Sequence, residues 1–129
     1  MKRDKAYLKH ILDAISNIEK FIEGIEKEDF LGNVEKQYAV LRGLEIIGEA
    51  TKNLSEKLKT KYPHIPWKEI GGMRDKLIHQ YFGVNLDLVW ETIKTKLPEL
   101  KNQILQIVKE MEDQRKTCHS QDSQKPPYL

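Results

Sequence analysis

The chain has little of several things, and each scarcity closes a door. It carries one cysteine, Cys118, among 129 residues, so no internal disulfide framework can hold it, and a reducing compartment suits it. No apolar run approaches the ~18 residues of a membrane span. The opening stretch "MKRDKAYLKHILDAI" is broken by charges and lacks the uninterrupted apolar core of a signal peptide. The cytoplasm is therefore the expected location, with no membrane partner. Excess charge is scarce too: Lys and Arg number 22 against 20 Asp and Glu, for a net +2. Total charge thus gives no pointer to nucleic acid, and any electropositive surface must come from local clustering. Strand-like alternation bounded by turns is also missing.

What is present is helical periodicity. Between residues 4 and 23, Tyr7, Leu8, Ile11, Leu12, Ile15, Ile18, Phe21 and Ile22 recur at spacings of three and four, which is a one-faced helix that Gly24 can close. A second pattern starts near Asn33 and runs through Val34, Tyr38, Leu41, Leu44, Ile47 and Leu54 to Leu58, ending where Tyr62 precedes Pro63. Gly43 and Gly48 lie inside it. Glycine there costs about 1 kcal/mol against alanine and signals close helix approach, within the chain or between subunits. Pro66 suits the first turn of a new helix, which Gly71 and Gly72 either loosen or break in two. That helix is expected to reach Phe82, with Gly83 as its stop, and Asn85 or Asp87 to cap the next segment. Pro98 opens a last helix bearing Leu100, Ile104, Leu105, Ile107, Val108 and Met111. The expected fold is all-α, an antiparallel bundle of four to five helices over residues 1–114. "RKTCHSQDSQKPPYL", residues 115–129, is expected to be a disordered polar tail.

The stretch with a chemical accent is "MRDKLIHQYF", residues 73–82. On a helical wheel turning ~100° per residue from Ile70, the residues Met73, Leu77, Ile78 and Tyr81 share an apolar sector, and Arg74 falls inside it near ~40°. A charge in an apolar stripe is costly unless it is paired or wet. An arginine snorkelling at the stripe's edge is one explanation. A lone helical histidine is most often structural, and Asp75 with His79 at i+4 is a common surface pair. Taken together the residues make a sharper set. Arginine can hold a phosphate through two N–H groups. Histidine exchanges protons near neutral pH, and a neighbouring carboxylate can orient it. Those are the parts of RNA cleavage by the 2′-hydroxyl without a metal. Arg74 diverges from Asp75 and His79 by roughly 100–140° around the wheel, so two copies of the helix facing across a dimer axis would close the site better than one.

"MRDKLIHQY" has the arrangement R-x4-H-x-Y with a polar residue after the arginine. With "LRGLEIIGEATKNLS", "YPHIPWKEIGGMRDKLIHQYFGVNLDLVWETI" and "LPEL", it makes the chain similar to the HepT-like toxins of the HEPN superfamily over roughly residues 5–110. The resemblance implies an all-α, homodimeric HEPN-like domain with Arg74 and His79 of both protomers lining a cleft, assisted by Asp75. It implies a metal-independent, cofactor-free endoribonuclease acting on RNA such as tRNA or mRNA, the toxin of a type II toxin–antitoxin system. Its implied partner is an MNT-type nucleotidyltransferase antitoxin that transfers AMP from ATP to Tyr81. An adenylylated Tyr81 would add bulk and negative charge beside Arg74, blocking a phosphate site.

The alternative is a non-catalytic helical dimer that binds a nucleotidyltransferase partner or a nucleotide through the same cleft. Other constellations are weaker. Cys118 and His119 supply two adjacent ligands in a tail, short of a metal site. Glu45 and Glu49 lack the Glu-x-x-His partner of a carboxylate-bridged metal centre. Lys52, Lys57, Lys59 and Lys61 alternate with Glu56 and polar residues, as a solvated face does. His10 and His64 have no recognisable partner.

Overall fold

A computed structural model describes the backbone at residues 2–79 and 85–123, and side chains at 3–73 and 85–114. Every regular element among the described residues is helical: α1 (Lys2–Phe21), α2 (Lys27–Leu31), α3 (Val34–Lys52), α4 (Glu56–Lys61), α5 (Trp67–His79), α6 (Leu86–Glu91) and α7 (Leu97–Ser123), with a π-helical segment at Thr92–Lys96 joining the last two. The all-α expectation holds, with more and shorter helices than the four or five expected.

Helix α3 is the centre of the bundle, packing on α1 along one flank and on α5 along another. The apolar spacing of α1 becomes a core stripe, with Leu8, Ile11, Ile15 and Ile18 fully buried against Leu44 and Ile47. Gly43 explains how closely α1 and α3 can approach. A Cβ there would lie 2.6 Å from Ile18 Cγ1 and 2.7 Å from its Cδ1. The choice left open for Gly43 is thereby decided for packing within the chain. Gly24 stops α1 as expected, at φ +74°, a conformation that costs glycine little.

Three caps account for element boundaries. The Asn33 side chain accepts from the Lys36 N–H at 3.0 Å, Ser55 Oγ from the Leu58 N–H at 3.2 Å, and Asn85 Oδ1 from the Leu88 N–H at 3.1 Å, each relieving an otherwise unpaired first-turn donor. The long second helix expected from sequence therefore ends at Lys52, and α4 starts afresh behind Ser55. The cause is remote in sequence: Ser55 donates its N–H to Asp4 Oδ1 at 2.8 Å and its hydroxyl to Asp4 Oδ2 at 2.6 Å. Asp4 is 5% exposed, and a carboxylate that buried needs such partners.

Helix α5 passes through Gly71 and Gly72 unbroken. Its start is fixed by Trp67, whose indole N–H donates to the Tyr62 carbonyl at 2.9 Å. Residues 80–84, including the expected end at Phe82 and Gly83, lie outside the described residues. Helix α7 continues past Arg115 to Ser123, beyond the boundary expected at 114. No Pro or Gly interrupts the sequence there before Pro126, and its Gln, Arg and Lys are good helix formers, so the backbone keeps its helical bonds. Residues 124–129 lie outside the described residues.

Candidate active site

Arg74, Asp75 and His79 share one unbroken helix. Their backbone lies in α5, where Ile70 and Met73 pack partly buried against the core and Gly71 is buried against the end of α3. Arg74 follows Gly71 by three residues and Ile70 by four, while Asp75 follows Gly71 by four, so the motif continues the helix register that meets the bundle. The side chains of Arg74, Asp75 and His79, and Tyr81 altogether, lie outside the described residues. Five helical residues turn about 500° and rise about 7.5 Å, so positions 74 and 79 lie roughly 140° apart around an ideal helix.

The described part of α5 lines one hollow and lies near another. One, of about 240 Å³, lies between α5 and α7 and is walled by Ile70, Met73, Leu97 and Leu100 with Glu69 and Lys96 at its mouth. The other, of about 560 Å³, lies where the first turn of α1, the end of α3, α4 and Met111 of α7 meet. Its floor is Leu58, Tyr62 and Met111, and its rim carries Arg3, Lys52, Lys57 and Lys61. Lys52 links this second hollow to the motif helix, because a Cβ built on Gly71 would lie 3.2 Å from Lys52 Cγ. The lysine stem thus lies across α5 about one turn before Arg74 and Asp75.

Electrostatics around the second hollow are organised by two polar ties. Asp4 is held by Ser55 as above. The Tyr62 hydroxyl donates to Glu110, tying α4 to α7. That hydrogen bond first, then one from Gln106, holds the Glu110 carboxyl below the usual carboxylate range, with Lys61 and His64 adding to the effect. Burial first, and the bond to Glu110 second, push the Tyr62 hydroxyl up to about 12.

No local pattern joins Arg3 to the lysines of α4: more than fifty residues separate them along the chain, and the Asp4–Ser55 tie brings them together in the fold. Of the lysine stretch, taken from sequence as a solvated face, Lys52, Lys57 and Lys61 are exposed and also rim a concavity, whereas Lys59 is half-buried and pairs with Glu56 at 3.8 Å. Of the weaker constellations, Glu45 pairs with Arg42 at 3.4 Å, a helix-surface ion pair. Cys118 and His119 lie in α7 by backbone, and their side chains lie outside the described residues.

A family profile, ribonuclease HepT-like, matches residues 11–107. Curated relatives match over most of this chain, two of them along nearly their whole lengths. A protein provisionally named an RNase from Methanocaldococcus jannaschii is 51% identical over 112 residues, covering 86% of this chain and 93% of its own. A "Probable ribonuclease HepT" from Thermococcus cleftensis is 52% identical over 102 residues, covering 78% of this chain and 93% of its own. Another M. jannaschii protein, named a gamma-glutamylcyclotransferase and, provisionally, an RNase, is 49% identical over 113 residues, covering 87% of this chain and 51% of its own. No solved structure matches the chain. The profile spans three quarters of the sequence and includes all of α3 and α5 with the R-x4-H-x-Y stretch, and on that match the chain belongs to the HepT-like ribonuclease family.

Proposed function

We propose that the protein is a metal-independent endoribonuclease toxin whose active site is built from Arg74 and His79 of two protomers. The observation that carries this is the family match extending over an unbroken α5 that bears Arg74, Asp75 and His79 in one register. In this reaction the 2′-hydroxyl of one nucleotide attacks the adjacent phosphorus, the P–O5′ bond breaks, and the products are a 2′,3′-cyclic phosphate and a 5′-hydroxyl. One proton leaves the 2′-oxygen and one must reach the departing 5′-oxygen. His79 is suited to both transfers near neutral pH, and two copies would allow one base and one acid. Arg74 binds the nonbridging oxygens and stabilises the charge that builds on them. Asp75, four residues before His79, orients the imidazole. The ~140° divergence of Arg74 from His79 supports a cleft shared by two chains, because a single straight helix presents them to different sides.

Control falls to Tyr81 and a second protein. A nucleotidyltransferase antitoxin would direct the Tyr81 phenol at the α-phosphorus of ATP, forming a phosphodiester and releasing pyrophosphate. The added AMP would place negative charge seven residues from Arg74, two turns along the same face, and compete with the substrate phosphate.

Two experiments test these statements. Expression of the chain alone should arrest growth of a bacterial host, whereas Arg74→Ala and His79→Ala variants with unchanged helical content should not. Undiminished toxicity in both variants contradicts the site. Intact mass of protein produced with and without a co-expressed nucleotidyltransferase of this type should differ by one or more AMP units mapping to Tyr81. An unchanged mass, with toxicity still suppressed, removes the modification and leaves inhibition by binding.

A further inference from the structure

We propose that the hollow between α1, α4 and α7 is a second RNA-binding subsite, in which Arg3, Lys57 and Lys61 hold backbone phosphates of the strand whose scissile phosphate lies at α5. This rests on the ribonuclease assignment and extends it to substrate grip.

Four observations meet there. The first is charge without a carboxylate at ion-pair distance, although Lys61 acts on the Glu110 carboxylate from farther off. Neighbouring cations have carboxylate partners, Lys59 with Glu56 at 3.8 Å and Lys5 with Glu112 at 3.8 Å. Arg3, Lys57 and Lys61 form no ion pair among the described residues, although all three are exposed. Arg3 and Lys61 instead lie 5.8 Å from the ring centres of Tyr7 and Tyr62. The second is the state of Asp4, the one carboxylate lining the hollow among the described residues, whose two oxygens already accept from Ser55 at 2.8 and 2.6 Å. Among the described residues, four cations, Arg3, Lys52, Lys57 and Lys61, thus line the hollow against a single carboxylate. The third is shape: an apolar floor of Leu58, Tyr62 and Met111 under a cationic rim, about 560 Å³, suits a nucleotide with its base down and its phosphate at the edge. A flat acidic protein surface would leave that floor unfilled. The fourth is continuity, because Lys52 both lines the hollow and crosses α5 at Gly71, one turn before Arg74 and Asp75. A strand leaving the motif toward the end of α3 would run straight into it.

The test is binding, which needs no turnover. Full-length protein carrying His79→Ala, so that RNA survives, is titrated with a labelled single strand longer than the ~16 nucleotides one groove covers, at several salt concentrations. Adding Arg3→Ala, Lys57→Ala and Lys61→Ala together should lower the slope of log affinity against log salt by roughly 2, about 0.7 per lost phosphate contact. At 0.1 M salt that corresponds to roughly hundredfold weaker binding. Lys9→Ala with Lys20→Ala, outside the hollow, controls for loss of general positive charge and should leave the slope unchanged, and thermal melting checks that each variant folds. Equal slopes in the triple variant and its parent overturn the subsite while leaving the ribonuclease assignment standing. A parent that binds no RNA, together with a wild type that cleaves none, overturns both. If the triple variant keeps its RNA affinity but no longer co-purifies with a nucleotidyltransferase partner, the hollow belongs to that protein and the RNA subsite is wrong.

Discussion

Helix α3 meets α1 and α5 at two glycine-lined crossings that are built differently. At the α1 crossing Gly43 makes room for the buried side chain of Ile18, an apolar contact closed to water. At the α5 crossing Gly71 makes room for the stem of Lys52, whose side chain is exposed and borders a charged hollow. A fully buried isoleucine cannot retreat, whereas an exposed lysine stem can shift rotamer at small cost. The first crossing fixes the bundle. The second couples the bundle to the helix that carries the motif while keeping charge next to it.

The largest effect that would sharpen this contrast is Gly43→Val. Its branched side chain collides with Ile18 and should destabilise the protein by about 3 kcal/mol, lowering Tm by roughly ten degrees. Asp4→Ala comes next: Ser55 loses both acceptors, and chemical denaturation should report a loss of about 2 kcal/mol, with α4 exchanging its amide hydrogens faster. Tyr62→Phe removes the bond to Glu110 and should cost about 1 kcal/mol. That bond also has a pH signature. Glu110 lies below its ordinary value in the fold, so its contribution is present above that value and lost as pH falls through the folded one. Tyr62 lies above its ordinary 10, so its contribution is full below pH 10 and lost as pH rises through about 12. Melting of the Tyr62→Phe variant should therefore be less sensitive to pH between 10 and 12 than that of the parent. The smallest effect is expected for Gly71→Ala, within about 0.5 kcal/mol, because the gain in helix propensity offsets the displacement of Lys52. A Gly71→Ala loss as large as that of Gly43→Val would erase the difference between the two crossings.

Legibility from sequence followed the range of the interaction. Local signals read true: the apolar spacing of α1, its end at Gly24, the Asn85 cap and the helix opening at Pro98 all concern neighbours within a turn or two. The break between α3 and α4 was invisible, because Ser55 ends up where it does through Asp4, far back in the chain. The π-helical segment at Thr92–Lys96 was equally hidden. There the Thr92 and Thr95 hydroxyls donate to the Leu88 and Glu91 carbonyls at 2.8 and 2.7 Å, bonds a periodicity count does not see. The R-x4-H-x-Y pattern could be read from sequence because its spacing is local, and the family match covers it. The cations around the second hollow were not legible there, since Arg3 and the α4 lysines meet only in the fold.

The central claim is that α5 carries a ribonuclease site that needs no metal. Purified, unmodified protein incubated with total RNA in excess EDTA decides it, with the new ends identified chemically. Cleavage that EDTA leaves unchanged is expected, with fragments ending in 2′,3′-cyclic phosphate and 5′-hydroxyl and a rate lowered by about 10²–10⁴ in His79→Ala. Intact RNA, cleavage abolished by EDTA, or an undiminished rate in His79→Ala would contradict it.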